Sequence, residues 1–184
     1  MVSARHLEED LRHVGSEVAR QSLPDRQHHR EGSPRSQRRK RGEQNQAIGI
    51  SRGGRSTKIH AVVDSKGRPL NFIVTGAQVH DSQVVDEVLD TPRSPLAVCA
   101  DKAYDSAKVR QGIKDGGALP VIPSRSNATK KAYCPKRIYR RRHKVENYFG
   151  RIKDWRRIAT RYDKLARNFL SANAIVGALC WIKL

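Results

Sequence analysis

Polar and apolar positions divide the chain into an unpatterned front and a patterned remainder. Residues 1–20 (MVSARHLEEDLRHVGSEVAR) suit a short polar helix. Residues 21–46 (QSLPDRQHHREGSPRSQRRKRGEQNQ) show no apolar period, and their Arg, Gln, Ser and Pro predict a disordered basic arm. The arm, 1–46, is therefore set apart from a folded region over 47–184. That region opens as a hairpin, with a strand over 57–64, a turn at 65–68 and a strand over 70–75. A helix follows over 82–89, with Asp81 or Ser82 as its N-cap. LAVCA at 96–100 is wholly apolar, as a strand covered on both faces is, and it runs into Asp101. A helix over 106–114 stops at Gly116 and Gly117. ALPVI at 118–122 is another short apolar strand, and Pro120 favours an edge or a strand start. A basic loop over 123–137 leads to a helix over 139–153. After a short basic stretch, 154–163, a last helix over 164–183 presents Leu165, Phe169, Ala172, Val176 and Leu179 as its apolar face.

Strands alternating with helices give an α/β class, and functional groups in such sheets gather beyond the carboxyl ends of central strands. Asp101 stands at such an end, although a turn or cap role would also place an Asp there. The helix over 139–153, YRRRHKVENYFGRIK, is unusual. Tyr139, Arg142, Glu146, Phe149 and Lys153 recur at three, four, three and four residues, which predicts one face. That face would carry one acid, two bases and two aromatics where an apolar stripe is normal. A solvated face with an Arg142–Glu146 ion pair is the plain alternative.

Charge tilts the choice. The 184 residues carry 37 Lys+Arg against 18 Asp+Glu, a formal net charge of +19. Such a field attracts polyanions, nucleic acid above all. No polybasic amphipathic helix beside a lipid anchor points to a membrane, and the run over 169–184 is short for a span and broken by Asn173 and Lys183. Cys99, Cys134 and Cys180 lack C-x-x-C spacing, so neither a disulfide framework nor a zinc site is expected, and a reducing cytoplasm fits. No apolar leader follows Met1. In so basic a chain, Asp101 and Glu146 suit Mg²⁺ held for phosphodiester chemistry, because Mg²⁺ takes one or two carboxylates and leaves room for water and phosphate. Arg142 and Lys153 would meet phosphate oxygens. Tyr139 would pack or donate to one.

Tyr139, Arg142, Glu146 and Lys153 fit the Y-x2-R-x3-E-x6-K signature, and with it the chain resembles bacterial insertion-sequence transposases of the DDE class. ADKAYDS at 100–106, SRGGRSTKIHAVVDSKG, TGAQVHDS, VIPSRSN and RRIATRYDKLARNFLSA are similar to text of the same family, over about three quarters of the chain. The resemblance implies a ribonuclease-H-like mixed sheet flanked by helices, an acidic triad binding two Mg²⁺, and strand cleavage and transfer at transposon ends. It assigns metal ligation to Asp101 and Glu146, and contact with double-stranded DNA to Tyr139, Arg142 and Lys153. The neighbouring Arg140, Arg141, Arg156 and Arg157 join them as expected DNA contacts. A bacterial, nucleoid-associated location and a second copy of the chain as partner are further expectations. A metal-dependent nuclease is the nearest enzymatic alternative. A basic DNA-binding remnant without chemistry is the other reading.

One acid of the triad is missing. The family carries it on the first strand, in a motif such as I-D-S-T-x-V-R-A-H. This chain instead has DRQHHREGSP at 25–34. Those ten residues can be encoded GAT CGA CAG CAC CAT CGT GAG GGC TCA CCG, and dropping the first base gives Ile-Asp-Ser-Thr-Ile-Val-Arg-Ala-His. The arm is therefore expected to be out of frame from before Asp25 to about 40–44, with the first strand of the sheet lost. Asp25 is not expected to replace the lost ligand, and turn and cap roles account for Asp64 and Asp81. The gene itself tests this: its codons for 25–34 should contain the shifted motif, and codons that do not would remove the frameshift.

Overall fold

The computed structural model describes residues 15–24, 46–51, 54–91, 95–163 and 165–182. Among these, one mixed sheet holds β1 (Gly15–Pro24), β2 (Gly49–Ser51), β3 (Gly54–Val63), β4 (Pro69–Gly76), β5 (Ala97–Ala100) and β6 (Leu119–Val121). The order is β2-β3-β1-β5-β6, with β4 also paired to β3. β1, β5 and β6 run parallel, whereas β2 and β3 are antiparallel. The helices are α1 (Val85–Leu89), α2 (Ala107–Asp115), α3 (Lys136–Tyr139), α4 (His143–Lys153), α5 (Arg156–Ala159) and α6 (Ala166–Ile182). The class is mixed α/β, as the alternation implies.

The largest departure from expectation is β1. Residues 15–20 do not continue a polar helix, and 21–24 are not part of a disordered arm. They form a strand between β3 and β5, so the sheet has no open edge at its centre. The physical reason is pairing: a buried parallel strand such as β5 needs ladder partners on both sides, and register Gly15–Ala97 through Val18–Ala100 supplies one. β1 contributes one acid to that ladder, Glu17, level with Cys99. Asp25 and the proposed out-of-frame segment lie outside the described residues.

Contacts divide the chain into two units, one built around 81–148 with 61–71, the other around 149–182 with 46–60 and 72–80. In the first, Asp64 closes the hairpin. Its Oδ1 accepts from the amides of Lys66 and Arg68 at 2.9 Å, its Oδ2 accepts from Arg68 Nε at 2.7 Å, and Gly67 supplies the left-handed residue at φ 77°. Ser106 caps α2 by accepting from the Val109 amide at 3.2 Å, and Gly117 ends it at φ 78°. The expected helix over 82–89 is shorter. A 3₁₀ turn (Asp81–Gln83) precedes α1, whose cap residue is Val84 without a side-chain bond. Pro120 lies in β6, the last strand of the order, where its missing N–H breaks no outer ladder.

In the second unit, β3 from Ser56 to His60 is buried, so its polar residues are tied down. Lys58 Nζ donates to Val79 O at 2.7 Å, and His60 Nε2 lies 2.9 Å from Thr75 Oγ1. Arg161, 1 % exposed, is the knot of this unit. Its Nη1 donates to Ala47 O at 2.8 Å, its Nη2 donates to Gln46 O, and its guanidinium lies 5.1 Å over the Phe169 ring. Gln46 Oε1 in turn accepts from the Ala166 amide at 3.0 Å, satisfying one open donor at the start of α6. The face that α6 buries is rotated from the one expected: Phe169, Asn173, Val176 and Cys180 are inside, while Leu165 is 38 % exposed. Asn173 enters the core because its Nδ2 donates to Phe169 O at 2.7 Å. No helix among the described residues is long and apolar enough to cross a membrane. Arg161→Met leaves two backbone carbonyls without their charged donor. It should lower stability by about 2–3 kcal/mol, read from the urea midpoint, against under 0.5 kcal/mol for an exposed control such as Arg156→Met.

Candidate active site

Two sheet residues begin the site. Ala97 and Cys99 point to one face of β5, where with Val121 they form a buried cluster. Ile138 and Tyr139 pack on that cluster, and Cys99 Sγ donates to Ile138 O at 3.6 Å. The packing fixes the segment over 136–142 across the carboxyl end of β5. Asp101 is the next residue along the same face, and the packed segment brings Arg142 to it.

The helix expected over 139–153 is not continuous. Residues 136–153 are helical, but a 3₁₀ turn (Arg140–Arg142) separates α3 from α4. The expected stripe divides accordingly. Phe149 turns inward with Val145, Tyr148 and Ile152, whereas Glu146 and Lys153 are exposed. An amphipathic helix buries its apolar positions first, so the aromatic leaves the polar face.

Asp101, Arg142 and Glu146 nevertheless meet. Arg142 Nη1 lies 3.0 Å from Asp101 Oδ1, and Arg142 Nη2 lies 2.5 Å from Glu146 Oε1. One guanidinium thus bridges two carboxylates that are far apart in the chain. Asp101 starts the 3₁₀ turn (Lys102–Tyr104) but makes no side-chain capping bond. Its carboxylate is spent on Arg142, which disposes of the cap role. Burial lowers the Arg142 pKa, but Asp101, Tyr139 and Glu146 outweigh it and hold the guanidinium above its usual value. Burial raises the Tyr139 hydroxyl above its usual value, against the pull of Arg142, which lies 5.9 Å from the ring centroid. The donor set, two hard carboxylates facing one positive charge, fits a divalent cation of the Mg²⁺ type. Among the described residues no third His, Cys, Asp or Glu joins them.

Of the basic residues expected at DNA, Arg140 is exposed and Arg141 half-buried. Lys153 and Arg156 are exposed. Arg157 is already engaged: its Nε and Nη2 donate to the two Asp163 oxygens at 2.9 and 2.7 Å. The three cysteines are free thiols.

Sequence reasoning missed the support of Asp101. Four residues on, Asp105 Oδ1 accepts from Arg110 Nε at 2.8 Å and Oδ2 accepts from the Arg125 amide at 2.8 Å. Arg110 Nη2 also donates to Ile122 O at 2.7 Å. The loop after β5 is thereby tied to the loop after β6. No periodic signal marks these residues, because the bonds join loops.

Comparison with known proteins agrees over most of the chain. Residues 24–181 match the family model described as the transposase DDE domain. A protein of Brucella ovis named as a transposase for insertion sequence element IS6501 is 31% identical over 132 residues, 70% of this chain and 99% of that protein. A Burkholderia cepacia protein named as a transposase for insertion sequence element IS402 is 35% identical over 80 residues, 38% of each chain.

Burial raises the Asp105 pKa, but the Arg125 amide and Arg110 overcome it and hold the carboxyl below its usual 3.8. A depressed folded pKa gives stability that is complete above the unfolded value and is lost as pH falls through the folded one. Asp105→Asn should therefore cost about 1–2 kcal/mol at pH 7, and the gap to the parent chain should narrow below about pH 4 in urea melts.

Proposed function

Because the chain belongs to the transposase DDE domain family, as an insertion-sequence transposase of bacterial type, we propose that Asp101 and Glu146 are its metal-ligating carboxylates. The observation that carries this is their convergence on one guanidinium from separate elements. A merely solvated helix face would hold the Arg142–Glu146 pair but would not enlist an acid from the end of β5. The place of β1 between β3 and β5, with an acid at the carboxyl end of β5, supports a ribonuclease-H-like arrangement.

Mg²⁺ at this pair would activate an attacking oxygen and offset charge on the leaving one in phosphodiester displacement at transposon ends. Asp101 and Glu146 would hold it. Arg140, Arg141, Lys153 and Arg156 would bind and orient duplex phosphates, with Tyr139 as the packed platform beneath Arg142. On this reading the family's motif for the first acid has no match among the described residues, where the one carboxylate on β1 is Glu17. A pair of ligands holds one ion weakly and leaves a second without its shared bridge. On this reading the chain as it stands is a DNA-binding transposase domain with little or no transposition of its own, and a frame disruption from before Asp25 to about 40–44 would account for the loss. The reading as a non-catalytic DNA-binding remnant shares the salt-sensitive binding and differs in metal dependence.

Restoring Ile-Asp-Ser-Thr-Ile-Val-Arg-Ala-His by a one-base deletion before Asp25, with a compensating one-base insertion at about 40–44 that keeps 47–184 in frame, should bring Mg²⁺-dependent cleavage and strand joining on labelled transposon-end DNA. Glu146→Gln in the restored chain should then abolish both while leaving DNA affinity, measured without divalent metal, within about twofold, a loss confined to chemistry. Mg²⁺-dependent strand transfer by the unrestored chain would overturn the assigned inactivity.

A further inference from the structure

Arg142 holds a place that a metal ion would need. Its two terminal nitrogens each engage a different carboxylate, at 3.0 and 2.5 Å, so the guanidinium lies between the groups that would ligate a cation. The three side chains are not sealed: Asp101 is 35 % exposed, Glu146 55 % and Arg142 22 %. An incoming ion reaches the carboxylates from solvent, while the arginine stem stays packed. The guanidinium also has somewhere to remain, because the Tyr139 ring lies under it and is itself fixed on the Ala97, Cys99 and Val121 cluster.

Charge decides the outcome of an exchange. Two carboxylates and one guanidinium leave a single net negative charge. A divalent cation in place of the guanidinium neutralises the pair and leaves the arginine without an anion. A fork of N–H donors so released is matched best by a phosphate oxygen pair. Resting on the reading of Asp101 and Glu146 as metal ligands, we propose that Arg142 is the resting counter-cation of the acid pair, displaced by the metal and thereby released to grip a DNA phosphate. Metal and DNA then bind with positive coupling through one side chain. Coupling of this kind is reciprocal, so DNA tightens metal binding by the factor by which metal tightens DNA binding.

The test uses the full chain and Mn²⁺ alone, with free Mn²⁺ counted by its paramagnetic resonance signal. Arg142→Gln removes the competitor and should bind Mn²⁺ roughly three- to tenfold tighter than the parent, the worth of two partly exposed ion pairs. Arg142→Lys, a point charge that cannot bridge both acids, should fall between them and carries the comparison where the Gln variant fails to fold. Glu146→Gln should weaken Mn²⁺ binding at least tenfold. In a second measurement, Mn²⁺ should raise the affinity of the parent for a short duplex severalfold and leave that of Arg142→Gln unchanged. Equal or weaker Mn²⁺ binding by both Arg142 variants overturns the counter-cation role. Indifference of Mn²⁺ binding to Glu146→Gln overturns the metal reading itself.

Discussion

Two ionised carboxylates repel, and folding brings them together at little cost only when a cation lies between them. In this protein the cation is the Arg142 guanidinium, held from one side by Asp101 and from the other by Glu146. The partners come from unlike places, the end of a buried strand and the first turn of a helix. A surface pair within a helix is worth little, a few tenths of a kcal/mol. A bridge that enlists a third group from the sheet fixes orientation instead. It sets where the two acids stand relative to each other.

The rest of the first unit serves that placement. The Ala97, Cys99 and Val121 cluster supports Ile138 and Tyr139, and through them the turn that carries Arg142. Asp105 fastens the far side of the Asp101 loop through Arg110 and the Arg125 amide. The second unit solves a different problem with another arginine. Arg161 is buried with two backbone carbonyls as acceptors and an aromatic ring beneath it, so its charge is met by dipoles. One side chain type thus meets two kinds of acceptor, backbone carbonyls in one unit and carboxylates in the other.

The strand β1 shows what backbone pairing alone asks of a segment. The sheet needs a partner on that side of β5, and residues 15–24 provide ladder bonds with no need of a particular side chain. The same register sets the one acid of the strand, Glu17, level with Cys99.

The turn at 65–68, the apolar strands over 96–100 and 118–122, the glycine stop of α2 and the spacing of Tyr139, Arg142, Glu146 and Lys153 were all legible in the sequence. Each rests on a local rule: turn chemistry, alternation, capping, or the helical repeat. The break in the helix at 140–142, the inward turn of Phe149, the rotated face of α6 and the strand at 15–24 were not. They are settled by what packs against them, which periodicity does not contain. The sequence by itself determined which side chains could serve as acids, bases and phosphate contacts, because chemistry and spacing are local. Only the tertiary structure decided that Asp101 reaches Arg142, because that meeting depends on a sheet cluster holding together two segments that lie far apart along the chain.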